Sequence, residues 1–440
     1  MSETPKPPQK KKYSAKNFDC TRCGAPITVN YPGASLAVTC PNCKVVIDVT
    51  DQNYRILSKY YDKTKEYDPI IPLGTRGKLF DKEWEVIGFV VRRDKLSGFS
   101  WEEYLLFNPY YGYRWLTRNN GHWSFVTMLK DKPYSSKAAL DRVFVSRVDF
   151  KDDTYKLFYS GHAVVCYVLG EFYWKVKTDT EVWMTDYVCP PYMLSNEWDN
   201  RELVWSKSEY VDLKTIKDAF KIESMAGPVG VAPNQPSPYL QTWNVMRLLW
   251  VFFIVVLIGL NVVTAGRAMN YTAFQQMYNF TMNAKTNDRT TPVFELLKDK
   301  ANLEISLRAD VDNSWFYLSG ELVNDETGDT YYFERTCEYY HGYDDGESWS
   351  EGSSTQNILL SGVPGGKYYI NFDTESGDFR SLGDRNFTLQ VRRDVPTYAN
   401  FMWCFFWLCI LPVICWFNMR HFEVSRWSES DYSPYVSSSS

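Results

Sequence analysis

The chain has 440 residues, 45% hydrophobic and 23% charged, enough for several packed domains; this excludes a disordered chain and a disulfide-stapled mini-protein. Aromatic residues make up 17%, which suits β-rich packing and membrane interfaces. A net charge of -5 excludes a surface built as a whole for nucleic acid, and no nucleic-acid partner is expected.

Residues 1–16 carry five lysines, one glutamate and three prolines, the composition of a disordered basic tail, and hold no apolar stretch of a secretion signal. Residues 17–50 follow with Cys20, Cys23, Cys40 and Cys43 in a C-x2-C-x16-C-x2-C pattern. That spacing predicts a zinc ribbon: each C-x-x-C turn wraps two thiolates round one side of a tetrahedral ion. Four thiolates leave no coordination position for water, so the zinc is expected to be structural. Thiolates reserved for metal also point to a reducing compartment, the cytosol.

A polar spacer (50–67) leads to residues 69–221, where short runs rich in Val, Tyr, Phe and Trp alternate with turn signals such as Asn120-Gly121. A cytosolic β-barrel or curled sheet is expected, closed by a short amphipathic helix carrying Val211, Ile216 and Phe220. Residues 222–244 form a linker with Pro228, Pro233, Pro236 and Pro238.

Two uncharged apolar runs predict transmembrane helices over 245–266 and 395–418, the second with Pro412 as a candidate kink. Flanking arginines oppose one another (Arg247 and Arg267; Arg392 and Arg393 against Arg420 and Arg426), so the cysteine motif sets the orientation. Residues 267–394 are expected outside the cytoplasm, and residues 419–440 return to the cytosol as a tail. Residues 268–394 hold 21 acidic against 11 basic side chains and a single cysteine, Cys337. Six strand-like runs from residue 303 onward, with NDETGD, VPGGK and ESGD as turns, predict a β-sandwich.

The stretch LGTRGKLFDKEWEVIGFV, then SWEEYLLFNPYYGYRWL, GHWSFV, GEFYWKVK, VCPPYMLSNEW, ELVWSKSEYV and IKDAF resembles bacterial proteins of the domain of unknown function 4178 family. The resemblance implies a β-domain that follows a zinc ribbon and precedes paired membrane helices, with the bacterial inner membrane as its location. It transfers no catalytic residue and hints at a polyamine-related context.

Chemistry-bearing constellations are sparse. The four histidines, His122, His162, His341 and His421, show no catalytic or metal spacing. His162 with Cys166 reads as a surface histidine and a core cysteine. Glu102 and Glu103 cannot share one strand face, so one is expected buried with a partner and the other solvated. Gly74 opens a turn, not a phosphate loop. Asp344, Asp345 and Glu347 read as a solvated acidic loop, with calcium as the other possibility. Arg114 beside Trp115 reads as core packing.

The expectation is a multidomain, mainly β, non-enzymatic inner-membrane scaffold or sensor. It couples an outer β-sandwich to a cytosolic zinc ribbon and β-domain that recruits a protein partner, and homo-oligomers are possible. The alternative is an enzyme or accessory subunit acting on a small metabolite through the cytosolic domain.

Overall fold

The computed structural model describes residues 13–59, 67–134, 145–199, 202–344, 346–378 and 383–435. Most of the basic tail, part of the spacer and Asp345 lie outside these residues. The protein is mainly β and divides into two units, residues 1–244 with 414–440, and residues 245–413.

The first unit opens with β1 (Lys16–Asp19) and β2 (Pro26–Val29), an antiparallel hairpin. Next come β3 (Ala37–Thr39), β4 (Val46–Asp48) and β5 (Ile56–Ser58), paired in that order. After β6 (Arg76–Leu79) the main sheet follows: β7 (Lys82–Asp94), β8 (Ser100–Asn108), β9 (Gly112–Asn119), β10 (His122–Met128), β11 (Arg147–Phe150), β12 (Asp153–Phe172), β13 (Glu181–Cys189), β14 (Tyr192–Trp198) and β15 (Leu203–Val211). Asn120 and Gly121, both at positive φ, make the β9–β10 turn expected of this dipeptide.

Eight of these strands close into a ring, β7-β8-β9-β10-β15-β14-β13-β12, because β12 returns to pair with β7. Closure removes the open edges of the sheet. At the seam Gly88 stands opposite Gly170, and a Cβ on Gly170 would lie 2.2 Å from the Ile87 carbonyl oxygen. Gly170 also holds φ +92°, so no other residue fits there without strain.

Two apolar clusters line the wall. Trp84, Phe89, Tyr104, Leu116 and Trp123 pack outward under α1 (Leu213–Phe220), which contributes Ile216 and Phe220. Val90, Leu105, Trp115, Val165 and Phe172 pack with Ala37 and Val46 of the cysteine-bearing module. β3 also pairs with the end of β12, so that module continues the barrel's sheet.

Two long helices follow in the chain, α2 (Leu240–Arg267) and, near its end, α3 (Ala399–Arg426). Their most apolar 18-residue windows have mean hydropathies of 2.6 and 1.9 and are 0% and 6% buried. At 28 residues each they are long and apolar enough to cross a membrane, about 42 Å at 1.5 Å per residue. Both exceed the expected spans. α3 runs through Pro412 and on to Arg426, past the expected end at 418.

The second unit contains β16 (Tyr271–Thr281), β17 (Lys285–Thr290), β18 (Phe294–Ala309), β19 (Ser314–Asn324), β20 (Thr330–Asp344), β21 (Glu347–Ser353), β22 (Thr355–Gly377) and β23 (Asp384–Arg393). In place of the two-sheet sandwich that the sequence predicts, these form one continuous sheet, half a barrel, in the order β16-β23-β18-β22-β19-β20-β21, with β17 beside β22. The cause is the 23-residue β22, which pairs with β18 in its first part and with β19 and β17 in its last. The VPGGK segment, a turn by composition, lies inside this strand, where its register against β18 shifts. The single core includes Ile305, Phe316, Leu322, Cys337, Ile370, Phe387 and Leu389.

Arg393, a flanking charge by its place in the sequence, is instead fully buried and donates to the carbonyls of Leu297, Ala301 and Val363 at 3.3, 3.1 and 2.8 Å. Burial lowers its pKa.

Candidate metal centre

Cys20 and Cys23 flank the turn between β1 and β2, and Cys40 and Cys43 the turn between β3 and β4. The two turns match: Gly24 N–H donates to the Cys20 carbonyl (2.9 Å) and Lys44 N–H to the Cys40 carbonyl (3.0 Å). Gly24 and Lys44 both take left-handed φ, +74° and +56°. Each turn therefore aims its two thiols to one side, and the two pairs converge.

All four sulfurs lie within 4.8 Å of one another, with Cys20 Sγ to Cys43 Sγ and Cys23 Sγ to Cys40 Sγ each 3.7 Å. A tetrahedral ion with bonds of about 2.3 Å needs sulfurs about 3.8 Å apart, whereas a disulfide needs about 2.05 Å. The geometry fits a four-thiolate dication site, and all four cysteines are free thiols. The Ala25 amide hydrogen bond draws Cys23 down to about 6. Burial pushes Cys43 up to about 12 and raises Cys40. A bound dication deprotonates such thiols by its own charge.

A second polar group fills the barrel, and its residues are not marked as a site by the sequence. Arg92 on β7 donates through Nη1 to Glu197 on β14 at 2.9 Å, although β12 and β13 separate those strands round the wall. Such a contact crosses the interior. Arg92 Nε also lies 3.1 Å from Glu103 Oε2, and Trp101 Nε1 donates to the other Glu103 oxygen at 2.8 Å. Asp186 on β13 is 8% exposed and its Oδ1 has no hydrogen-bond partner. Burial, with Glu197 and Glu103 nearby and only Ser195 in opposition, pushes its carboxyl up to about 7. Nothing in VWMTDYVC marks this aspartate as buried.

Glu103 is the buried member of its pair, as expected. Glu102, on the opposite face, is held rather than solvated: Arg118 Nη1 donates to it at 3.0 Å and the Tyr104 hydroxyl at 3.0 Å. This pair borders a cavity of ≈ 280 Å³ whose other walls include Tyr67, Trp101 and Gly227.

The remaining candidates stay apart. The His162 ring meets Trp183 edge-on at 4.6 Å, while Cys166 sits at a bulge with its thiol toward the Val164 carbonyl at 3.7 Å. His122 is buried between the Tyr210 hydroxyl and the Val229 carbonyl, and burial lowers its pKa. His341 is exposed beside Asp312 at 2.7 Å. Trp115 packs in the core, as expected.

Fold and site together define a mainly β protein with a closed eight-stranded barrel, a half-barrel, two apolar helices and a four-cysteine cluster. Residues 72–213, the barrel segment, match the family described as domain of unknown function (DUF4178). No curated protein matches the chain. Among solved structures, a Yersinia pseudotuberculosis-derived mitogen is 10% identical with a TM-score of 0.16, covering 27% of this chain and 85% of the other. An infectious bursal disease virus Gt strain structure is 7% identical with a TM-score of 0.17, covering 74% and 59%. Likenesses this shallow carry no argument.

Proposed function

We propose that the protein is a non-enzymatic scaffold or sensor of the bacterial inner membrane, whose half-barrel lies outside the cytoplasm and whose zinc ribbon and barrel recruit a partner inside it. The observation that carries this reading is the attachment of α3 to the barrel unit. Arg426, the last residue of α3, is 2% exposed and donates to the carbonyls of Ala232 and Pro233 in the linker that feeds α2. Trp427 then packs on Phe158 and Val188, and Val188 shares a strand face with Asp186. A displacement of α3 is thereby passed to the barrel mouth, which is what coupling across a membrane requires. Both chain ends are cytosolic on this reading, and Cys20, Cys23, Cys40 and Cys43 hold one structural zinc ion.

The test is photo-crosslinking in native membranes from positions on the barrel's outer wall, followed by mass spectrometry. Recruitment predicts one defined protein captured from residues 72–213 and lost when residues 268–398 are replaced by a short linker. Capture of self alone contradicts it. A second reading, an enzyme acting on a small metabolite, is favoured by the cavity beside Glu102 and Arg118, and turnover lost in Glu102→Gln would establish it.

A further inference from the structure

The outward face of β19, β20 and β21 alternates carboxylates with aromatic rings. Strand register sets Trp315 opposite Glu338, Glu321 opposite Tyr332, and Tyr340 opposite Glu351. Strand alternation places Glu334 on the same face, while Phe316, Leu318, Phe333 and Cys337 turn inward to the core. No lysine or arginine occupies this face on the three strands. Lys285, opposite Glu375 on β22, stands at its margin.

Two of the rings are presented to solvent, while Trp315 and Tyr340 are half-buried. Tyr332 is 72% exposed and Trp349 48%. Trp349 lies against Gly342, its cross-strand partner, where a Cβ would come within 2.8 Å of the indole. The glycine lets the ring rest on the backbone with its other side outward. Tyrosine and tryptophan are enriched where proteins dock, and a face that carries carboxylates and no basic side chain of its own is complementary to a cationic partner. The carboxylates are too dispersed for a metal ion: among the described residues only the four cysteines converge closely enough to hold one.

We propose that this face docks a Lys/Arg-rich polypeptide segment, with ammonium and guanidinium groups paired to the carboxylates and stacked on the rings. The inference stands independently of membrane topology and of the scaffold reading.

Fluorescence anisotropy with fluorescein-labelled deca-lysine and the full-length protein in detergent tests it. Glu334→Gln, Glu338→Gln and Glu351→Gln together are expected to weaken binding at least about ten-fold. Glu83→Gln, Asp152→Asn and Glu223→Gln, equal in charge change but exposed on the barrel unit, leave it within about two-fold. Trp349→Ala weakens it about three-fold while Trp349→Tyr retains it. Equal loss in the two triple variants means generic charge attraction and overturns the proposal, as does unchanged binding in the first triple variant or in Trp349→Ala. An unaltered near-ultraviolet circular dichroism spectrum keeps misfolding from counting as loss.

Discussion

The guanidinium of Arg426 donates to the carbonyl oxygen of Pro233 at 2.8 Å, joining the end of one apolar helix to the linker that begins the other. The same group reaches Ala232 and Glu423, so a buried charge is fully employed in holding two distant chain segments together. Replacing it leaves buried carbonyls without donors.

Arg426→Leu is therefore expected to destabilise docking of residues 427–435 by about 1.5–3 kcal/mol, the range for hydrogen bonds to a charged group. Hydrogen exchange should show faster exchange at Trp427 and Ser430, whose hydroxyl now donates to the Phe158 carbonyl at 2.5 Å. Exchange confined to the rest of the barrel would contradict the lock.

The cysteine cluster predicts one zinc per chain by elemental analysis of purified protein. Cys40→Ser should lose that zinc and unfold the cysteine-bearing module, since a closed four-thiolate site supplies folding energy to so small a core. Tight chelation should do the same, while the barrel keeps its near-ultraviolet circular dichroism.

Asp186 gives the barrel a pH dependence of known sign. Its carboxyl is raised from 3.8 to about 7, first by burial and then by Glu197 and Glu103. The folded state therefore binds the proton more tightly than the unfolded chain. This stabilisation is complete below pH 3.8 and falls as pH rises to about 7, by up to about 4 kcal/mol for three pKa units. Asp186→Asn, which cannot ionise, should flatten that part of the stability profile in denaturant titrations between pH 5 and 8. An unchanged slope would assign the pH dependence elsewhere.

The barrel seam predicts sensitivity at two glycines. Gly170→Ala adds a Cβ at 2.2 Å from the Ile87 carbonyl in a left-handed residue, so a loss of about 3 kcal/mol or more is expected by chemical denaturation. Gly98→Ala, also left-handed but with open space around it, should cost about 1 kcal/mol.

The parts legible in the sequence are those whose chemistry is local. Two C-x-x-C turns state their purpose within a few residues, and the Asn120-Gly121 turn and the helix around Ile216 follow from the same short range. A barrel or curled sheet is legible in the run of short strands, but the pair that closes it is not, because it joins Gly88 to Gly170, far apart in the chain, through backbone contact with no compositional signature. The half-barrel reads as a sandwich because Gly362, Gly365 and Gly366 have the composition of a turn, although β22 passes through them. β16 and β17 escape notice because polar residues such as Gln275, Gln276 and Asn287 interrupt the apolar alternation of these two strands. Arg393 and Arg426 read as solvated flanking charges, since nothing in sequence distinguishes a buried guanidinium bonded to carbonyls from an exposed one.

The proposed function rests on the two apolar helices forming a membrane hairpin with the barrel on one side and the half-barrel on the other. Protease protection in sealed membrane vesicles of both orientations tests this most directly, with one epitope at the N-terminus, one inserted in the turn at 325–329 and one at the C-terminus. The hairpin predicts that the terminal epitopes are protected together and that the epitope at 325–329 is cleaved in the same vesicles, with the pattern reversed in the opposite orientation. Protection of all three together, or of one terminus with the 325–329 turn, would contradict it.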